Sequence, residues 1–293
     1  MSATKRHPRF DFHQLDPLPT SDELSSFYES QYYHLIRQGG RAPELRRMME
    51  GGESARSELE WLRNTTYLDV ADTLRSLSPS GNRVLDIGAG TGDFVSFLVE
   101  RGFAAEGIEP ALLPSEAARE RGLNIATADL ATWAADGAHE ARYDAVVALN
   151  VLEHVPDPES FVDRCLKLLR PGGILALKVP NDFSEIQAAA QQKLQTDPWW
   201  VCVPDHVNYF NIASLRKFLE SFGLDIVGQV TDFPMELFLL FGDDYTSNPE
   251  VGKQMHRKRQ QLETALPADL RRRLYAAFAS VGMGRAVTAF ARK

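Results

Sequence analysis

The sequence predicts a doubly wound α/β fold. The expected sheet has seven strands, mostly parallel with the last antiparallel, flanked by an N-terminal helical lid and a C-terminal helical extension. Three observations predict it. Short apolar runs alternate with segments of helical periodicity from about residue 81 to 232. The first run, Val84-Leu85-Asp86-Ile87, opens into the glycine turn Gly88-Ala89-Gly90-Thr91-Gly92, and a helical pattern starting with Phe94 follows. A later run, Tyr143 to Asn150, is almost continuously apolar, as a central strand buried on both faces must be.

Composition fits a soluble enzyme. The chain has 293 residues, 44% hydrophobic and 25% charged, ordinary for a globular protein with a substantial core. A net charge of −8 gives no support to a nucleic-acid partner. Cys165 and Cys202, the only cysteines, are too few for a disulfide framework or a cysteine zinc site. Residues Met1 to Asp16 lack an apolar h-region, and no run approaches the ~20 apolar residues of a membrane span. These readings predict a reduced, cytoplasmic protein.

In chain order, residues 1–80 read as a loose proline-containing arm and then a helical lid. Ser21-Asp22-Glu23 can cap a helix carrying Leu24, Phe27 and Tyr28, and a long helix is expected from Glu58 to Leu77. The core, 81–232, supplies strands at Val84–Ile87, Ala104–Glu109, Leu123–Thr127, Tyr143–Asn150, Ile174–Val179 and Asp225–Val230. Helices are expected at Ser115–Arg121, at Glu159–Leu169 (closed by Arg170-Pro171-Gly172-Gly173), at Phe183–Gln195, and at Ile212–Phe222 with Asn211 as its cap. An insertion at 181–211 lies above the carboxyl edge. Residues 233–293 form two further helices and a last strand, Ala286–Ala291.

The glycine turn carries the chemistry. Strand, turn and helix N-terminus together cradle a nucleotide-like ligand, because glycine admits close backbone approach. A dinucleotide fingerprint requires G-x-G-x-x-G, whereas here the third glycine comes one residue early and Asp93 takes the sixth position. Asp86 and Asp93 have the wrong sign for a pyrophosphate. They suit a ligand carrying an ammonium and a sulfonium. Glu109, about 20 residues on, is placed for ribose hydroxyls, and Asp129 with Leu130 for an adenine amino group and ring.

With Asn150-Val151-Leu152-Glu153-His154 and Leu169-Arg170-Pro171-Gly172-Gly173, these stretches resemble the class I S-adenosylmethionine-dependent methyltransferases. Within that Rossmann-like family the resemblance is to the branch of ubiquinone-pathway, sugar and natural-product methyltransferases, and it covers about 83–232. It implies that Asp86, Gly88, Ala89, Gly90, Gly92 and Phe94 hold the methionine part of S-adenosyl-L-methionine. It also implies Glu109 and Pro110 at the ribose, Asp129 and Leu130 at the adenine, and Asn150 and Val151 at the amino-acid end.

The expected acceptor is a small molecule, a sugar, a polysaccharide precursor or a natural-product intermediate, methylated on oxygen. Methylation on nitrogen, a non-catalytic cofactor-binding subunit and a nicotinamide-dependent oxidoreductase are the alternatives. Bacterial relatives of this branch carry a segment similar to His206-Val207-Asn208-Tyr209-Phe210, which makes His206 the first candidate base and His154 the second. Tyr32, Tyr33, Asn181, Trp199, Trp200 and Tyr209 are the candidate acceptor contacts. No His, Asp or Glu cluster has metal-like spacing, so no metal is expected. From residue 251 to 293, ten Lys or Arg face two acidic residues, a local +8. Solvated faces packed on the acidic body are the plain reading. An anionic or nucleotide-linked acceptor, or peripheral membrane contact, is the sharper one. Oligomeric state is not legible.

Overall fold

The computed structural model describes residues 3–30, 51–78, 81–135 and 137–293. Strands β3 (Arg83–Ile87), β4 (Ala104–Glu109), β5 (Ile125–Thr127), β6 (Tyr143–Leu149), β7 (Leu169–Pro180), β9 (Asp225–Thr231) and β10 (Ala286–Arg292) form a seven-stranded sheet in the order β5-β4-β3-β6-β7-β10-β9. Pairing is parallel from β5 to β7, and β10 inserts antiparallel to both β7 and β9. The expected fold is present. β3 and β6 are the neighbours at which strand order reverses, so a crevice opens beyond their carboxyl ends.

Alternation along the strands fills both faces. Leu85 and Ile87 join one buried cluster with Val146, Leu175 and Leu177, while Val84 joins the opposite cluster with Val147, Ala176 and Phe290. Helices α4 (Asp93–Glu100) and α5 (Leu112–Glu120) connect the first parallel strands, followed by the short α6 (Leu130–Trp133). Helix α7 (Pro158–Leu168) starts where Asp157 accepts the Ser160 N–H at 3.0 Å and Pro158 stands in the first turn. Helices α8 (Glu185–Leu194) and α9 (Ile212–Glu220) both begin with capping boxes, Ser184 with Gln187 and Asn211 with Ser214.

Three sequence expectations change. The loose arm is instead a hairpin: β1 (Ala3–Arg6) and β2 (His13–Asp16) pair, and β2 pairs onward with β8 (Asn208–Tyr209). The reason is apolar. Phe10, Phe12 and Leu15 are buried, with Phe12 4.4 Å from Phe210 and Phe10 edge-on to Phe218 at 5.0 Å. The long helix is also broken, into α2 (Gly52–Asn64) and α3 (Thr66–Leu77), with Thr65 off helical geometry between them. Glu58 and Trp61 are the buried residues of α2. In addition, β7 runs straight through Arg170-Pro171-Gly172-Gly173, which the sequence reads as a helix terminator. Helix α1 (Ser21–Ser30) is present, with Leu24 and Phe27 buried. Tyr32 and Tyr33 lie outside the described residues, as does the side chain of Tyr28.

The C-terminal helices α11 (Pro249–Ala265) and α12 (Ala268–Ser280), which follow the short α10 (Glu236–Phe241), dock on α2 and α3 through buried charge. Arg271, 2% exposed, grips Asp69 with two nitrogens at 2.9 and 3.1 Å, and Arg272 reaches Asp69 and Asp72. Glu263 accepts from Trp61 Nε1 at 2.7 Å, Tyr275 Oη at 2.7 Å and Arg259 Nε at 3.2 Å. Lid and extension therefore form one helical layer. Six of the ten cations are engaged: Arg259, Arg271, Arg272 and Arg285 pair with carboxylates, and Arg292 and Lys293 donate to backbone carbonyls, whereas Lys253, Arg257, Lys258 and Arg273 lie on exposed helix faces. A free basic face for an anionic acceptor or a membrane surface loses those cations. No helix among the described residues is long and apolar enough to cross a membrane.

Candidate active site

The glycine turn leaves β3 at the switch point. Gly88 and Ala89 both donate to the Ile108 carbonyl of β4, at 2.9 and 3.0 Å. Gly88 has φ +73°, and a Cβ there would lie 2.7 Å from Val151 Cγ2, so the turn and the β6 exit touch. Gly90 differs: at φ +53° a Cβ would meet nothing within 4 Å. The turn thus packs on one side and opens a cradle on the other.

Glu109 ends β4 and closes the cradle's rim. Its Oε2 accepts the Gly90 N–H and its Oε1 the Ala111 N–H, each at 2.9 Å. Pro110 beside it is exposed. Asp86 is buried beneath the turn (4% exposed), and its carboxyl is pushed up to about 8 by burial, with the Glu109 charge adding to the effect. Asp129 caps α6, accepting the Thr132 N–H at 2.7 Å, and these bonds hold its carboxyl below the usual range. Leu130 is buried behind it. Asn150, exposed at the end of β6, has φ +58° and donates its N–H to the Lys178 carbonyl at 2.9 Å.

The donor set fits S-adenosylmethionine. A buried carboxyl at the base, an open glycine cradle above it and two further carboxylates along the strand ends match a cationic amino-acid nucleoside; a pyrophosphate would meet three acidic groups, and its charge would oppose their ionisation. Phe94 does not face this cradle. It is 4% exposed and packs 5.0 Å from Tyr67 in the core behind α4.

On the acceptor side, the structure separates the candidates. A 3₁₀ turn at Leu152–His154 follows Val151 and is clamped by the segment leading into β8. Val207 donates to the Glu153 carbonyl at 2.8 Å, and Asn208 Nδ2 donates to the Leu152 and Val155 carbonyls at 3.2 and 2.7 Å. The hairpin completes the clamp through Gln14 Nε2 to Asn208 Oδ1 at 2.9 Å. His154 and His206 consequently stand 4.8 Å apart with perpendicular rings. His154 Nδ1 lies 2.9 Å from the Asp205 carbonyl oxygen, which only accepts, so Nδ1 carries the hydrogen and Nε2 the lone pair of the neutral ring. Glu153 is 2% exposed, its Oε2 has no hydrogen-bond partner, and burial pushes its carboxyl up to about 8.

Glu153, His154 and His206 thereby form a group whose ligand atoms all lie within 4.8 Å of one another. Linear spacing gave no metal cluster because its members come from two segments 52 residues apart, joined only by the β8 clamp.

The remaining acceptor candidates are mostly structural. Asn181 is fully buried and its amide is committed: Nδ2 donates to the Gly282 and Gly284 carbonyls, and Oδ1 accepts the Ile212 N–H at 3.1 Å. Trp200 and Tyr209 belong to a satellite core with Leu15, Leu24 and Val207, and the Tyr209 hydroxyl is pinned to the Cys202 backbone. Trp199 is half-buried against that core. The sequence reading missed Asp182, Arg285 and Glu236. Because β10 runs antiparallel, its start meets the carboxyl end of β7, and Arg285 Nη1 reaches Asp182 Oδ1 at 3.0 Å. Glu236 is fully buried, with both carboxylate oxygens lacking hydrogen-bond partners and its carboxyl raised by burial. Only the strand order could have found this group.

Comparison with known proteins agrees with the geometry. The methyltransferase domain family model matches residues 60–229. The chain therefore belongs to the class I S-adenosylmethionine-dependent methyltransferases. Among curated relatives it is similar to the ubiquinone biosynthesis O-methyltransferase of Pectobacterium atrosepticum, 36% identical over 97 residues, 32% of this chain and 40% of the relative. The Methylococcus capsulatus enzyme of the same description is 28% identical over 179 residues, 58% of this chain and 75% of the relative. The chain spans less than half the length of the Pectobacterium enzyme it matches. Among solved structures, the Burkholderia thailandensis 1,6-didemethyltoxoflavin-N1-methyltransferase, with S-adenosylhomocysteine bound, superposes with a TM-score of 0.53 at 14% identity, covering 96% of this chain and 94% of that one. A Thermotoga maritima S-adenosylmethionine-dependent methyltransferase gives 0.51 at 16% identity, covering 90% and 100%. At such identities the likeness is one of fold.

Proposed function

We propose that the chain transfers the methyl group of S-adenosylmethionine to a hydroxyl of a small aromatic or sugar-like intermediate. The observation that carries this reading is the contact between the two half-sites. Val151 packs on Gly88 at the cofactor turn, and the next residues of the same chain are Glu153 and His154, faced by His206. Donor cradle and proton-handling cluster share one sheet edge.

In this reading Asp86 faces the cofactor's ammonium through the turn, Glu109 takes the ribose hydroxyls and Asp129 the adenine amino group. Asn150 and Val151 bound the methionine end. The cradle supplies orientation, holding the sulfonium methyl in line with the attacking oxygen. Removal of the hydroxyl proton at the Glu153, His154 and His206 cluster contributes about 10²–10⁴-fold. The relatives named as ubiquinone biosynthesis O-methyltransferases support a hydroxyl acceptor. The buried, unpartnered Glu236 beside Arg285 favours an acceptor that also donates hydrogen bonds, and it leaves methylation of an amine as a second reading.

A methyl-transfer screen over phenolic intermediates, nucleotide sugars and glycans tests the proposal. Turnover is expected with a hydroxyl-bearing acceptor. Transfer to amines alone would replace it with the second reading, and S-adenosylmethionine binding without transfer to any acceptor class would contradict both.

A further inference from the structure

We infer that Glu153, His154 and His206 form a binding site for one first-row divalent cation of the zinc or cobalt type. Three observations converge on it. The ligand atoms of the three side chains lie within 4.8 Å of one another, and the donor set is two imidazoles and one carboxylate. With bonds of about 2.1 Å the ligands of a tetrahedral ion stand roughly 3.4 Å apart, so the cluster closes by about an ångström on loading.

Next, Glu153 is buried, and its Oε2 has no hydrogen-bond partner. A carboxylate buried in this way needs a cation or a donor to offset its lost hydration.

Finally, His154 carries the outer-sphere support that metal-bound imidazoles use. Its Nδ1–H donates to the Asp205 carbonyl at 2.9 Å, which fixes the tautomer and turns the Nε2 lone pair towards Glu153, whose Oε1 is 4.0 Å away. Imidazole donors select zinc and cobalt over magnesium, which prefers oxygen ligands and retained waters. Three protein ligands leave positions open for an acceptor oxygen.

The role follows from the proposed hydroxyl transfer, on which it rests. A hydroxyl bound to the cation becomes more acidic, and its proton leaves to solvent. The oxygen then forms its new bond to the methyl carbon as the carbon–sulfur bond breaks, with sulfur keeping the electron pair and losing its positive charge. The cluster thus removes the hydroxyl proton through the cation it holds, with the imidazoles as that cation's ligands.

The test uses the full chain freed of metal by chelator. Calorimetry with Zn²⁺ and with Mg²⁺, the visible absorption of added Co²⁺, and S-adenosylhomocysteine affinity are measured on the parent, Glu153→Gln and His206→Gln. The expected result is one equivalent of Zn²⁺ or Co²⁺ bound, at least 100-fold more tightly than Mg²⁺. Each variant should lose tenfold or more in Zn²⁺ affinity with unchanged S-adenosylhomocysteine binding, which also reports an intact fold. A parent that binds S-adenosylhomocysteine but no stoichiometric Zn²⁺ or Co²⁺ overturns the site, as does metal binding indifferent to both substitutions. Metal binding without any methyl transfer would overturn the functional reading and leave the site standing.

Discussion

Glu109 and Asp86 show how one residue type takes opposite electrostatic roles along adjacent strand ends. Glu109 is held by two backbone N–H groups at the rim, whereas Asp86 lies under the turn where water cannot reach it. Both were legible in the sequence, because a carboxylate at a parallel strand end beside a glycine turn has few other uses. His206 was legible as a candidate, but its partner was not. The structure orients His154 through the Asp205 backbone carbonyl. Side-chain identity cannot signal a backbone acceptor. His206→Ala should lower kcat by about 10²-fold or more, with S-adenosylhomocysteine affinity unchanged. Steady-state kinetics beside a binding isotherm checks this, and near-normal kcat would assign the ring to packing.

At the scale of elements, the core strands and their helices could be read directly, since parallel strands buried on both faces advertise themselves as apolar runs. The flanking elements could not. Phe10, Phe12 and Leu15 sit among prolines and charges, and their burial depends on Phe210, Phe218 and β8, some 200 residues away. The basic C-terminal run likewise reads as solvated surface until α12 is seen to face α3. Arg271→Ala should cost about 3–5 kcal/mol, because it leaves Asp69 buried without its bidentate partner. Thermal or denaturant unfolding measures that loss. The molecules still folded should bind the cofactor normally, since Arg271 lies in the layer that joins lid and extension. A destabilisation under 1 kcal/mol would show that the network contributes little.

For the molecule as a whole, the site couples stability to pH. Asp86 is pushed up to about 8, against about 3.9 in an unfolded chain, so between these values the folded protein keeps a proton that the unfolded one has released. This contribution is fully present below about pH 4 and is lost as pH rises towards 8. Glu153, raised to about 8 by its burial, acts in the same direction. A ligand ammonium near Asp86 favours its ionised form. The melting-temperature increase caused by S-adenosylhomocysteine should therefore grow from pH 6 to pH 8, and Asp86→Asn should flatten it. A ligand-induced shift independent of pH in the parent would contradict this linkage.

The central claim is that the glycine cradle at the β3–β6 switch point holds S-adenosylmethionine. Calorimetric titration of S-adenosylhomocysteine and, separately, of NAD into the parent, Gly90→Val and Glu109→Ala tests it most directly. One S-adenosylhomocysteine site and no NAD binding are expected in the parent. Gly90→Val should abolish binding by filling the cradle, and Glu109→Ala should weaken it by about 1.5–3 kcal/mol, as expected for hydrogen bonds to a charged group. Binding of S-adenosylhomocysteine equal to the parent's in both variants would contradict it.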